Sequence, residues 1–279
     1  MSSKIQSSES LLSAKPEEPK IVTNLRGIKN KVMIMSGKGG VGKSTVSANL
    51  AAYLAKKGKK VGLLDSDMHG PTIPKMFGIE DQRPTVGDKG INPVKVSDNL
   101  KVMSIGLLLD NQDSPVIWRG PAKMAAIKQF LEEVDWGVLD YLLIDLPPGT
   151  GDEPLSIVQL LVKVDGAVVV TTPQDVALIS VRKSLKFAET LNVPVIGLVE
   201  NMSGVICPDC GKKIDIFGRG SIEKAAEDFN IPVLAALPIE PAISASSDSG
   251  KVYIDNMDSK WSTAFSKVVE SVETFTQDK

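Results

Sequence analysis

The stretch Gly37-Lys38-Gly39-Gly40-Val41-Gly42-Lys43-Ser44 constrains this chain more than any other part of it. An apolar run at 32–35 precedes it and a helical pattern of Val46, Leu50 and Leu54 follows, so it lies between a strand and a helix. In that setting the glycines let successive backbone N–H groups turn toward phosphate oxygens, and the helix that follows adds its positive N-terminal end. Lys43 is placed to reach the β- and γ-phosphates of a nucleotide and the Ser44 hydroxyl to ligate Mg²⁺, with Thr45 completing the nucleotide-contacting set.

Lys38 is a second lysine in a loop that needs only one. It resembles the deviant Walker A loop of the family that includes MinD, ParA, the arsenical pump ATPase and the nitrogenase iron protein. In that family the second lysine crosses a dimer interface and touches the nucleotide of the other subunit. The resemblance therefore implies an ATP-dependent homodimer in which Lys38 joins Lys43 at the reacting phosphates.

The 279 residues are 42% hydrophobic and only 5% aromatic, which suits a large α/β core built from aliphatic side chains. A formal charge of -2 offers no general attraction to nucleic acid. No apolar run reaches the ~18 residues of a membrane span, and the first twenty residues carry no apolar stretch of a secretory signal. The expectation is a cytoplasmic protein with neither nucleic acid nor membrane as partner.

Residues 1–25 are polar, with Pro16 and Pro19, and read as a flexible tail ahead of an ATPase unit over 26–279. Aliphatic runs at 32–35, 61–64, 102–105, 141–144, 167–170, 195–199 and 233–237 then alternate with helical spacing, notably at 43–57, 121–133, 175–190 and 219–229. Near-continuous Val/Ile/Leu runs mean strands covered on both faces, which predicts an α/β fold with a mostly parallel sheet and helices on both sides. Ligands then gather at the carboxyl ends of the strands. A last helix with Trp261, Phe265, Val268, Val269, Val272 and Phe275 on one face is expected to dock on the core.

Three acidic residues follow such strand ends. Asp65 and Asp67 close the second run; in similar ATPases the first supports the Mg²⁺ shell and the second positions or deprotonates the attacking water. Asp145 ends the run at 141–144 and opens the segment Leu146-Pro147-Pro148-Gly149-Thr150-Gly151, where a carboxylate beside a phosphate loop is the usual Mg²⁺ partner. His69, the only histidine, reads as a solvated loop residue. No Asn-Lys-x-Asp segment for guanine stands after a late strand, so adenine is the preferred base.

Cys207 and Cys210 are the only cysteines, and their spacing in Cys207-Pro208-Asp209-Cys210 suits metal or redox chemistry rather than a staple. A zinc site or a [4Fe–4S] cluster wants about four ligands, and a two-fold dimer repeats each cysteine. A shared cluster, a bridging zinc and inert thiols stay open on the residues alone.

Together these segments, with Trp118-Arg119-Gly120-Pro121, Trp136–Tyr141 and Glu200-Asn201-Met202-Ser203, resemble the Mrp/ApbC family of iron–sulfur cluster carrier ATPases over residues 31 to about 240. The resemblance implies a homodimer holding a labile [4Fe–4S] cluster on paired Cys207 and Cys210 and passing it to apo-proteins in step with slow ATP binding or hydrolysis. It also implies adenine contacts from Asn201 and the 237–239 segment. The reading from another class is a MinD- or ParA-like positioning switch, which shares Lys38, Asp67 and Asp145 but needs no cysteine pair.

Overall fold

The computed structural model describes residues 19–108, 120–161, 163–207, 209–217, 222–253 and 259–278. In chain order the elements begin with α1 (Lys20–Leu25), β1 (Ile28–Met35), α2 (Lys43–Lys56), β2 (Val61–Asp65) and α3 (Ile73–Met76). Four strands follow, β3 (Thr85–Gly87), β4 (Gly90–Asn92), β5 (Val94–Ser97) and β6 (Leu100–Ser104), then α4 (Gly120–Glu133), β7 (Leu139–Asp145), α5 (Asp152–Leu160), β8 (Gly166–Thr171) and α6 (Asp175–Thr190). The chain closes with β9 (Val195–Ile206), β10 (Lys213–Ile214), α7 (Ile222–Asp228), β11 (Val233–Ile239), α8 (Pro241–Asp248) and α9 (Lys260–Gln277).

The main sheet runs β10-β9-β8-β1-β7-β2-β6-β5, with β11 also on β9; the strands from β9 to β6 and β11 are parallel, while β5 and β10 are antiparallel. Along β1, Val32 and Ile34 enter one apolar core and Met33 and Met35 the other, the alternation that a strand covered on both faces imposes. The first core is closed by α2, α3 and α9, the second by α1, α4, α5, α6 and α7. The α/β architecture expected from the aliphatic runs is the one found.

The last helix lies on the core as its spacing predicts: Trp261, Phe265, Val268, Val269 and Val272 are buried, and Trp261 stacks on Phe265 at 4.5 Å between ring centroids. The expected tail ends earlier than residue 25. Lys20–Leu25 is a helix with Ile21 and Leu25 buried, and Asn24 Nδ2 donates to the Leu131 and Val134 carbonyls at 2.8 and 2.9 Å. Those carbonyls belong to the last turn of α4 and just beyond, which have no intrahelical partner, so α1 closes that helix end. Residues 1–18 of the expected tail lie outside the described residues.

Strand order places the site. β1 is central, β7 lies beside it with Ile34 opposite Asp145, and β2 is next with Asp65 opposite Asp145. The loop after β1 and the carboxylates ending β7 and β2 therefore meet at one edge.

Candidate functional site

The chain leaves β1 through Ser36 and re-enters regular structure at Lys43, with Gly40 and Gly42 at φ of 75° and 81°. That left-handed backbone costs an L side chain about 1–2 kcal/mol, which explains glycine at these two positions. Gly42 caps α2 without any side-chain acceptor, so the first N–H groups of that helix stay open to an anion. Asn201, from β9, supports the loop by donating its amide to the Val41 carbonyl at 2.9 Å.

Lys43 is buried and its ammonium pairs with Asp145 Oδ2 at 2.9 Å, with no other hydrogen-bond acceptor among the described residues. A phosphate oxygen is the acceptor such a group fits. Asp145 takes the Ser44 hydroxyl at 2.7 Å and the Ser47 hydroxyl at 2.6 Å. Asp65 accepts from Ser104 Oγ at 2.9 Å and from the Asp67 N–H at 3.1 Å. Burial first, and then the neighbouring Asp145 carboxylate, push the Asp65 carboxyl up to about 8, against the opposing pull of Lys43 and Ser104. The Ser44, Asp65 and Asp145 oxygens are hard donors of the kind Mg²⁺ takes, and such a cation would replace the proton that the buried Asp65 carboxyl tends to hold.

The second glycine segment lies against the phosphate loop: the Gly149 N–H donates to the Ser36 carbonyl at 2.8 Å and the Leu146 N–H to the Ile34 carbonyl at 3.0 Å. Asp67 is half-buried, its Oδ1 accepting the His69 N–H at 3.3 Å. Lys38 Nζ donates to Gln174 Oε1 of the same chain at 2.6 Å, just ahead of α6. Thr45 is half-buried in the first turn of α2, its carbonyl accepting from Asn49.

The cysteines lie elsewhere on the same edge. β9 does not stop at 199 but runs to Ile206 and turns back into β10, with Ile206 opposite Lys213, so Cys207 and Cys210 form the tip of a hairpin. The Cys207 N–H donates to the Lys212 carbonyl at 3.0 Å and the Gly211 N–H to the Cys207 carbonyl at 2.9 Å. Both thiols are free, Cys207 half-buried and Cys210 exposed. The backbone N–H of Cys210, and then that of Asp209, hold the Cys207 thiol below its ordinary range and so favour the thiolate that binds metal. Among the described residues no group of three or more His, Cys, Asp or Glu side chains is arranged to hold a metal ion.

The sequence reading missed Ser47, Gln174 and Ser104. Ser47 was within reach of a motif argument, one helical turn after Lys43, whereas Gln174, in the loop ahead of α6, and Ser104, at the end of β6, are far away in the chain and show only once the sheet is assembled. His69 is 62% exposed, in keeping with a solvated loop residue, and its Nε2 also meets Lys123 Nζ and lies 3.6 Å from Glu153. Asn201, one of the residues expected to contact the base, is buried, with its amide nitrogen engaged on the Val41 carbonyl. Trp118 and Arg119 lie outside the described residues.

A glycine-rich loop with a buried lysine, backed by two strand-end carboxylates on a parallel sheet, defines a P-loop NTPase, here of the two-lysine type. The family model of NUBPL iron-transfer P-loop NTPases (ParA) matches residues 27–273. The chain belongs to that family. It is 52% identical over 256 residues to the iron-sulfur cluster carrier protein of Methanocaldococcus jannaschii, covering 92% of this chain and 88% of the relative. The protein of the same name from Saccharolobus solfataricus is 48% identical over 254 residues, covering 91% and 86%. Among solved structures, the nucleotide-binding protein of Archaeoglobus fulgidus in complex with ADP is 43% identical, with a TM-score of 0.76 over 87% of this chain and 94% of that one. The cell division ATPase MinD of Pyrococcus furiosus, 24% identical with a TM-score of 0.62 over 88% and 99%, shares the fold. No helix among the described residues is long and apolar enough to cross a membrane.

Proposed function

We propose that this protein is an ATP-dependent carrier that holds a [4Fe–4S] cluster as cargo between two copies of the chain and passes it to apo-proteins. The observation that carries the reading is the position of Cys207 and Cys210 at the tip of a hairpin that begins on the strand supporting the phosphate loop. Two thiols per chain make four in a two-fold dimer, the number such a cluster takes. The names of the relatives, iron-sulfur cluster carrier protein, support an iron–sulfur cluster as the cargo.

ATP is the nucleotide and Mg²⁺ its cation in this reading. Ser44, Asp65 and Asp145 hold the cation, which supplies neutralisation of charge on the β- and γ-oxygens. The N–H groups of residues 37–44 and the Lys43 ammonium fix the phosphates in place. Asp67 orients the attacking water, and Lys38, released from Gln174, reaches the nucleotide of the other subunit. Hydrolysis is slow and sets the state of the dimer rather than a metabolic flux. Residence is cytoplasmic, with apo iron–sulfur proteins as partners and neither nucleic acid nor membrane among them.

The experiment is anaerobic reconstitution followed by counting iron, sulfide and zinc per dimer. About four iron atoms with matching sulfide support the carrier. Stoichiometric zinc without sulfide replaces the cargo reading with a zinc-bridged dimeric ATPase, and an empty hairpin favours a positioning switch.

A further inference from the structure

Lys123, on α4, is one of the few cationic side chains withdrawn from water, its side chain 8% exposed. An ammonium in that position needs partners, and its two partners come from different strand ends. One is Glu153 Oε1 at 2.8 Å, in the first turn of α5 directly after the glycine segment that touches the phosphate loop. The other is Nε2 of His69, in the segment after β2. With an ammonium as donor, Nε2 accepts, and the ring proton is on Nδ1.

His69 is tied in turn to the reacting edge. Its backbone N–H donates to Asp67 Oδ1 at 3.3 Å, so two contacts join Lys123 to the carboxylate that orients water. The base of this chain of contacts is itself held, because α4 is pinned at its far end by Asn24 of α1.

We propose that Lys123 is a positioning residue for ATP hydrolysis: through the His69 ring and backbone it fixes the Asp67 carboxylate relative to the Glu153 end of the second glycine segment. This role rests on the reading of Asp67 given above. It predicts an effect on the chemical step and not on nucleotide binding, since Lys123 touches no residue of the 37–44 loop. Misplacement of a water-orienting group by about 1 Å can cost up to a hundredfold in rate.

The test measures steady-state ATP turnover, ADP affinity and melting temperature for Lys123→Met, Lys123→Arg, His69→Ala and the Lys123→Met/His69→Ala double variant. His69 and Glu153 are 62% and 31% exposed, so both stay hydrated when the ammonium is removed, and the variants are expected to fold. Lys123→Met should lower kcat roughly tenfold or more with ADP affinity within about twofold of wild type. Lys123→Arg should recover part of the rate, and His69→Ala should lose rate alone but add little to Lys123→Met. Wild-type kcat in Lys123→Met, fully additive losses in the double variant, or ADP affinity falling in step with kcat overturns the role. Absence of ATP turnover in the wild type would instead overturn the hydrolytic reading on which it depends.

Discussion

A β-carbon placed on Gly42 would lie 2.1 Å from the Asn201 amide nitrogen, the same nitrogen that donates to the Val41 carbonyl at 2.9 Å. Position 42 thus combines a left-handed backbone with no room for a side chain. Gly42→Ala should cost at least about 1 kcal/mol through backbone strain and displace Asn201 as well. The expected result is a lower melting temperature and ADP affinity weakened by an order of magnitude. Gly40→Ala, equally left-handed but facing open space, is the control and should suffer strain alone. Equal losses at the two positions would remove Asn201 from the explanation.

On the proposed reading, Lys43 serves nucleotide binding and Asp67 turnover. Lys43→Ala removes the ammonium beside Asp65 and Asp145 and should abolish ATP binding. Asp67→Asn keeps the phosphate contacts and should spare affinity while stopping turnover. Nucleotide titration with steady-state phosphate release decides between them, and undiminished turnover in Asp67→Asn would withdraw its assignment to the water.

Lys38 donates to Gln174 within a single chain, so its action across a dimer requires it to leave that contact. Mixing Lys38→Ala subunits with Asp67→Asn subunits should restore part of the ATPase activity, since one composite site then keeps both groups. Verified heterodimers that stay inactive place both residues in service of the same subunit's nucleotide.

Cys207→Ala and Cys210→Ala should each abolish iron retention after anaerobic reconstitution, because either change leaves two symmetry-related thiolates where about four are needed. Both variants should still bind ADP and melt near the wild-type temperature, as neither Cys207 nor Cys210 belongs to either apolar core. Full iron content in one variant would show that its sulfur is dispensable.

Asp140 accepts hydrogen bonds from Lys29 Nζ at 2.7 Å and from the Lys60 N–H at 2.8 Å. The Lys29 hydrogen bond first, and that N–H second, hold its carboxyl below the ordinary carboxylate range. A native pKa below the unfolded one means stability that is present above about pH 4 and is lost as pH falls through the native value. Asp140→Asn should therefore melt below wild type at neutral pH, and the two curves should converge in acid. A gap that widened toward acid would reverse the sign and refute the pairing.

Much of this was legible before folding. Aliphatic runs such as 167–170 announce buried parallel strands, and the spacing of the lysine, serine and glycines from 37 to 44 fixes the loop chemistry. Less visible was the continuation of β9 through Glu200, Asn201, Met202, Ser203 and Gly204, because that stretch has no aliphatic run and is held by the pairing of Glu200 and Asn201 with β11 and of Val205 and Ile206 beyond it with β11 and β10. Met202 and Gly204 also adopt positive φ, of 58° and 130°, which no strand pattern foretells. The edge strands β3 to β5 escape for a similar reason, being three or four residues each with mostly exposed side chains. The Lys123 contacts join residues 54 and 30 positions apart, and nothing in local spacing marks such a pair.

From Asn201, under the phosphate loop, to Cys207, at the hairpin tip, the polypeptide of β9 covers six residues, at most about 20 Å of extended chain. A nucleotide on the phosphate loop that Asn201 supports and a cargo on Cys207 and Cys210, as proposed, would share a thermodynamic cycle. By whatever factor ATP alters the hold of the thiolates on their cargo, the cargo must alter the affinity for ATP by the same factor. Loading and unloading can then be read from either end: a nucleotide titration repeated with and without bound iron reports the same coupling as an iron-release assay repeated with and without nucleotide.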